Sequence, residues 1–322
     1  MKNYWKNRKV LVTGGAGFIG SYIVEELVRQ GAFVTVAVSP KTSMKKIKKN
    51  LASVFTTISI KRMNLLSKRS TRIGSKGQDA LLHFAALDGG KQFKTENERL
   101  VYEINTTMGF NILDAVRKNA IERLLIISSI EIYPPNTKNP IAEDQADIEN
   151  ENILDVGYAG AKRTIEREAI KLHKTSGMHI AIARLGNAYG PRDHTESEKR
   201  RVIPTFVQQA LSNQPITLWG DGSQEVSFIH TSDIAKNVLR LVQYYAVADP
   251  VNIVSSQYIS LKDLAEKIIT QTKSKSSIVY ANKMMPIAKN RIFSTKKAEL
   301  QCGFIEEIIL KKGLQETIIS MK

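Results

Sequence analysis

The 322-residue chain has 42% hydrophobic and 24% charged residues, the balance of a folded globular protein, with length for one large domain or two smaller ones. It holds a single cysteine, Cys302, so an internal disulfide framework is excluded and a reducing, cytoplasmic compartment is expected. The formal charge of +16 comes from scattered lysines without interleaved aromatics, which argues against a nucleic-acid module, and no apolar run approaches the ~18 residues of a membrane span.

In chain order, short apolar runs alternate with helical patterns. Val10–Val12 reads as a strand, Ile19–Gln30 as a helix, and Phe33–Val38 and Ala80–Phe84 as strands. Glu98–Asn119 reads as a long helix, Arg123–Ser128 as a strand, Tyr158–Ser176 as a helix and His179–Leu185 as a strand. This rhythm predicts an α/β fold built on a doubly wound parallel sheet with helices on both faces. Leu124-Leu-Ile-Ile127 has the unbroken apolar character of a strand buried on both sides. After Gly190-Pro191 the texture changes. Asp193 to Arg201 is charged and loop-like, Val202–Ser212 helical, Trp219-Gly-Asp-Gly222 a turn and Ser227–His230 a strand. Ser232–Val242 reads as a helix opened by a serine cap, and Leu261–Thr272 and Lys296–Cys302 as small helices. Residues 1–185 are therefore read as a dinucleotide-binding domain to which 226–258 returns, and 186–322 as mainly a smaller substrate-binding domain.

Three glycines, Gly14, Gly17 and Gly20, follow the first strand and open the first helix, with Phe18 and Ile19 between them. The first permits a tight turn, the second lets a pyrophosphate approach the backbone, and the third lets helix and strand pack closely. A diphosphate would then meet the free N–H groups of the helix N-terminus. The second strand ends in Val38-Ser39-Pro40-Lys41, with no carboxylate for ribose hydroxyls. Ser39 and Lys41, with Lys45 or Lys46, fit a 2′-phosphate, so NADP(H) is favoured and NAD(H) is the alternative.

Tyr158 and Lys162 are four residues apart on a helix and share one face. An ammonium near a phenol favours the phenolate, moving it toward the pH at which it can take and return a hydroxyl proton. Ser129 closes a strand at its C-terminal end, the edge where open α/β sheets hold ligands, and can hydrogen-bond a reacting oxygen. His83 lies inside an apolar strand and is read as a packed histidine. His230 follows a strand near the expected pocket and stays an acid–base candidate. No cluster has metal-ligand spacing, and Cys302 is read as a packed thiol.

Together these residues resemble the extended short-chain dehydrogenase/reductase family, in particular its nucleotide-sugar epimerases, dehydratases and reductases. The resemblance covers nearly the whole chain. It runs through Thr13–Gly20, Asp79–Ala86, Asn105, the Tyr158/Lys162 pair, Arg184–Arg192, Val202-Ile-Pro204 and Gly220-Asp-Gly222. It implies a Rossmann sheet, a homodimer, and a nucleotide sugar oxidised at a ring carbon, with Tyr158 as acid–base, Lys162 holding the nicotinamide ribose and Ser129 beside the reacting oxygen. Asn64, Leu65, Phe84, Ala85, Ala86, Asn105 and Leu185 would line the coenzyme, and Asn187 and Val202 the substrate. Glu131 stands where the dehydratases carry a catalytic glutamate, but Ile130 replaces their aspartate. Val226 stands where an arginine usually grips the diphosphate; either Arg192, Arg200, Arg201 or Arg291 substitutes, or the ligand is not a typical diphosphate sugar. The leading expectation is an epimerase working through a keto sugar. The alternatives are an NADPH-dependent 4-keto-sugar reductase, a dehydratase, or a cofactor-binding regulator with weak catalysis.

Overall fold

The structure is a computed structural model that describes residues 4–146, 156–193, 201–281 and 290–322. Its centre is a seven-stranded parallel sheet made of β1 (Lys9–Thr13), β2 (Phe33–Val38), β3 (Ser59–Arg62), β4 (Ala80–His83), β5 (Arg123–Ser129), β6 (His179–Leu185) and, from later in the chain, Val251–Ile253. The helices between them are α1 (Phe18–Arg29), α2 (Met44–Asn50), α3 (Lys68–Gly74), α4 (Lys91–Glu96), α5 (Glu98–Lys118) and α6 (Gly157–Ser176). Beyond β6 come β7 (Asn187–Tyr189), α7 (Val202–Leu211), β8 (Ile216–Trp219), β9 (Glu225–His230), α8 (Thr231–Tyr244), β10 (Val251–Ile253) and β11 (Tyr258–Ser260). The chain ends with α9 (Leu261–Thr272), β12 (Ile278–Ala281), α10 (Lys296–Cys302) and α11 (Leu310–Met321).

The sheet order is β10-β6-β5-β4-β1-β2-β3, so the order reverses between β1 and β4. At such a reversal the two flanking connections leave on opposite faces and open a crevice at the strand C-termini. The apolar runs explain the layers. Val10, Val12, Val34 and Val36 turn to one face, against Ile23 and Leu27 of α1 and Ile234 and Val238 of α8. Leu11, Leu81, Leu124 and Ile126 turn to the other, against Ile112 and Val116 of α5 and Ile165 of α6. Gly109 of α5 sits so close to Ile165 that an added methyl group would strike that side chain, which lets the two long helices pack tightly.

The sequence reading of 226–258 needs one correction. Strand β9 does not join the main sheet. It pairs with β7 and antiparallel with β11 in a separate three-stranded sheet, and only α8 and β10 return to the central layer. The serine cap expected for α8 is also replaced. His230 occupies the cap position, and its Nδ1 accepts the Ser232 N–H at 3.3 Å. Edge strand β3 escaped the sequence reading because Ser59-Ile-Lys-Arg62 is mostly exposed and carries no apolar run.

A buried ion pair ties this frame together. Arg184 of β6 donates to Glu166 of α6, at 2.8 Å through Nη2, and both side chains are almost fully enclosed. Its Nη1 donates to Tyr133 Oη and to the Glu143 carbonyl, while Tyr133 Oη donates to Asn252 of β10. Replacing Arg184 with methionine strands the Glu166 carboxylate in the interior, so a loss of about 3–5 kcal/mol in urea unfolding at pH 7 is expected. An Arg184→Met protein that unfolds at the wild-type midpoint would contradict this account.

Candidate active site

The crevice at the sheet reversal is a cavity of about 1230 Å³. Gly14, Gly17, Phe18, Ile19 and Gly20 form one end and Phe84, Ala85 and Ala86 its flank. Gly14 has φ of +69°, and a Cβ there would lie 2.7 Å from the Ala85 nitrogen. A Cβ at Gly20 would collide with the Gly14 carbonyl oxygen. Gly17 caps α1 with no side-chain bond and no acid in the first turn, so the helix N-terminus faces the cavity with its N–H groups free for an anion. These features fit a dinucleotide diphosphate.

Ser128, Ser129, Tyr158 and Lys162 line the middle of the same cavity. Ser129 Oγ accepts the Glu131 N–H at 3.1 Å, which fixes the hydroxyl beside the pocket. Ser128 Oγ is buried with no protein partner, a hydroxyl the sequence reading passed over although it adjoins Ser129. Lys162 is buried, lies 5.3 Å from the Tyr158 ring centroid and donates to the Ile127 carbonyl at 2.7 Å. Burial draws its ammonium down to about 8, against the pull of Asp88, Glu166 and Glu131. The expected lowering of the Tyr158 phenol by Lys162 is not produced by the side chains alone. Burial pushes that phenol well up, the Asp88 and Glu131 carboxylates push the same way, and Arg201 opposes them.

Comparison with known proteins gives the family and the fold. The sequence model of the NAD dependent epimerase/dehydratase family matches residues 10–254. The chain belongs to the NAD-dependent epimerase/dehydratase family. A dTDP-4-dehydro-6-deoxy-D-allose reductase from Streptomyces is 31% identical over 270 residues, 82% of this chain and 81% of that protein. A GDP-mannose 3,5-epimerase of Arabidopsis thaliana is 27% identical over 328 residues, 100% of this chain and 84% of that one. An epimerase structure from Methanothermobacter thermautotrophicus superposes with a TM-score of 0.88 at 23% identity, over 99% of this chain and 93% of the other. As a member of this family the protein is an NAD(P)-dependent enzyme.

Within this family member several expected contacts lie at the cavity: Ser39, Asn64, Leu65, Leu185, Asn187, Val202, Glu131 and Arg291. Others lie elsewhere. Lys41 is exposed and outside the lining, because its N–H closes a turn on Ser39 Oγ, whereas α2 brings Lys46 back over the pocket beside Thr42. Asn105 is not a lining residue. Its amide bonds the Leu87 N–H and carbonyl and the Val101 carbonyl, so it shapes the loop after β4 from behind. Arg192 turns away, with φ of +71°, bonding Glu25 at 2.7 and 3.0 Å and Ser21 at 3.1 Å. Arg200 lies outside the described residues.

Val226 does line the cavity, so no guanidinium projects from that position. Among the described residues, Arg291 and Arg201 are the lining arginines. Arg291 donates to the Tyr133 carbonyl at 3.1 Å and keeps a buried Nε without a partner. Arg201 bonds Asp88 at 3.1 Å. Sequence reasoning missed Lys94, which bonds both oxygens of Glu131 at 2.6 and 2.8 Å. No local motif announces a contact between α4 and the end of β5.

His83 and His230 are absent from the lining. Thr13 Oγ1 accepts the Ala85 N–H at 3.3 Å and meets His83 Nδ1 at 2.8 Å, so its proton is free to donate to the ring. Burial, aided by the Lys162 charge, holds His83 down to about 3, and burial with Lys312 holds His230 to about 4. The unfolded chain protonates these rings near pH 6.5, whereas the folded chain refuses the protons. Their stabilisation is therefore complete above pH 6.5 and is lost as pH falls toward 3. A His83→Asn variant should lose less stability than wild type between pH 7 and pH 4.5 in urea unfolding, and equal slopes would contradict the assignment.

Proposed function

We propose that the protein is a cytoplasmic NAD(P)-dependent nucleotide-sugar epimerase that works by hydride transfer through a keto-sugar intermediate. The observation that carries this reading is the convergence of Tyr158, Lys162 and Ser129 on the cavity that also holds the glycine turn. NAD(P)+, when bound along the glycine turn, would supply a hydride acceptor and a positive charge. Ser129 hydrogen-bonds the sugar hydroxyl, and Tyr158 takes its proton as the carbon is oxidised and returns one when it is reduced from the other face. Lys162 steadies the coenzyme ribose. Glu131, which lines the same cavity, would exchange a proton at a carbon beside the ketone. With Val226 in the wall, Arg291 and Arg201 hold the substrate's anionic part, next to Asn187 and Val202.

NADP(H) is the favoured coenzyme in this reading. Ser39, Thr42 and Lys46 line the pocket at the end of β2, where a carboxylate would repel a 2′-phosphate. A Lys46→Glu variant should bind NADP+ at least ~10-fold more weakly with little change for NAD+. Equal or tighter wild-type binding of NAD+, measured by calorimetry, would overturn the preference. A homodimer through α5 and α6 fits the exposure of Leu100 and Phe110 on α5.

The test incubates the protein with a panel of nucleotide sugars while NMR reads the sugar and absorbance reads the coenzyme. Epimerised product without net coenzyme change is expected, falling ~10²–10⁴-fold in Tyr158→Phe. A second reading, a 4-keto nucleotide-sugar reductase, is favoured by the similarity to the allose reductase and by the cationic β2 turn. It requires stoichiometric NADPH consumption. Bound coenzyme with no sugar converted, and no effect of Tyr158→Phe, would defeat both.

A further inference from the structure

The face of Tyr158 turned to the sugar side of the cavity is surrounded by charge from several elements. Asp88 follows β4 and Glu131 follows β5, and both carboxylates disfavour a phenolate. Arg201, just before α7, bonds Asp88 from one side. Glu98 of α5 also lines the cavity, and Lys162 of α6 lies along the same helix as the phenol with its ammonium committed to the Ile127 carbonyl. His83 stays neutral behind Lys162.

Lys94 occupies the centre of this arrangement. Its Nζ lies 2.6 Å from Glu131 and 3.7 Å from Asp88, and 4.6 Å from the Tyr158 ring centroid. It is thus nearer the ring than Lys162, at 5.3 Å. Its side chain is only 17% exposed, so the contact is held rather than loosely solvated. Helix α4 follows the loop after β4, and Lys94 and Thr95 bring it to the cavity.

We propose that Lys94 is a positioning residue for the acid–base step: lying between Asp88 and Glu131 and over the Tyr158 ring, it neutralises the two carboxylates that face the phenol. Without it, Glu131 would stand unpaired beside a group that must itself become an anion. The proposal rests on Tyr158 being the acid–base group of the reading above, but not on the identity of the sugar.

The experiment uses the full-length protein saturated with NAD+ and carrying 13Cζ-tyrosine, with the Tyr158 signal assigned by Tyr158→Phe. No sugar is present, so a failure of the substrate reading leaves this test intact. Wild-type Tyr158 is expected to ionise within the pH range over which the coenzyme-bound protein stays folded. Lys94→Met and Lys94→Gln should move that ionisation up by about one pH unit or more, because an uncompensated carboxylate opposes the phenolate. Lys94→Arg should stay near wild type, and Lys94→Met/Glu131→Gln should return most of the way. A purely structural Lys94 would lower the unfolding midpoint and leave the phenol alone. The proposal is overturned if neither single neutral variant moves Tyr158, if removing Glu131 does not reverse the shift, or if wild-type Tyr158 shows no ionisation before the protein unfolds.

Discussion

The buried Arg184–Glu166 pair is the constraint on which the site rests. Glu166 lies four residues beyond Lys162 on α6, so the anchor and the chemistry share one face of one helix. Arg184 is on β6 and reaches past the pair to Tyr133 and the Glu143 carbonyl, and Tyr133 continues to Asn252 on β10. Two charges in the interior hold only while both remain and their other hydrogen bonds are filled. Rotation of α6 about its axis would break that condition. The pair therefore fixes the rotation of α6, and with it the direction in which Tyr158 and Lys162 point.

A second constraint is the close approach of backbone to backbone at the glycine turn. The turn at Gly14 presses on Ala85, and Thr13 bonds both Ala85 N–H and His83. The loops after β1 and β4 are thus joined by direct contacts. Asn105 adds to them by bonding Leu87 from α5. The glycine-turn end of the cavity is therefore tied by backbone contacts. Its other end is walled by ion pairs that run Asp193–Arg201–Asp88–Lys94–Glu131. This wall is charged throughout, with Lys94 and Arg201 each set between two carboxylates.

The net charge of +16 says little about this wall. Inside the cavity, cations and carboxylates alternate, and the burial of Tyr158 and Lys162 outweighs the overall excess in setting their protonation. The phenol is pushed up and the ammonium down by the same removal from water. Spacing on a helix identified the pair but could not weigh desolvation against mutual attraction, because that balance depends on what else covers them.

Much of the frame was legible in the chain itself. Phe33–Val38, His179–Leu185, Leu261–Thr272 and Lys296–Cys302 have the boundaries their patterns indicate, since period and caps are local properties. The glycine turn and the Tyr158/Lys162 spacing were legible for the same reason: each is confined to a few adjacent residues. Tertiary structure decided the rest. It sent Arg192 to Glu25 and left Arg291 on the cavity, placed β9 in a side sheet, and brought Lys94 to Glu131 across 37 residues of sequence. Which long side chain finds which partner depends on the direction of loops and the depth of burial, and those are fixed only when the distant parts of the chain have packed.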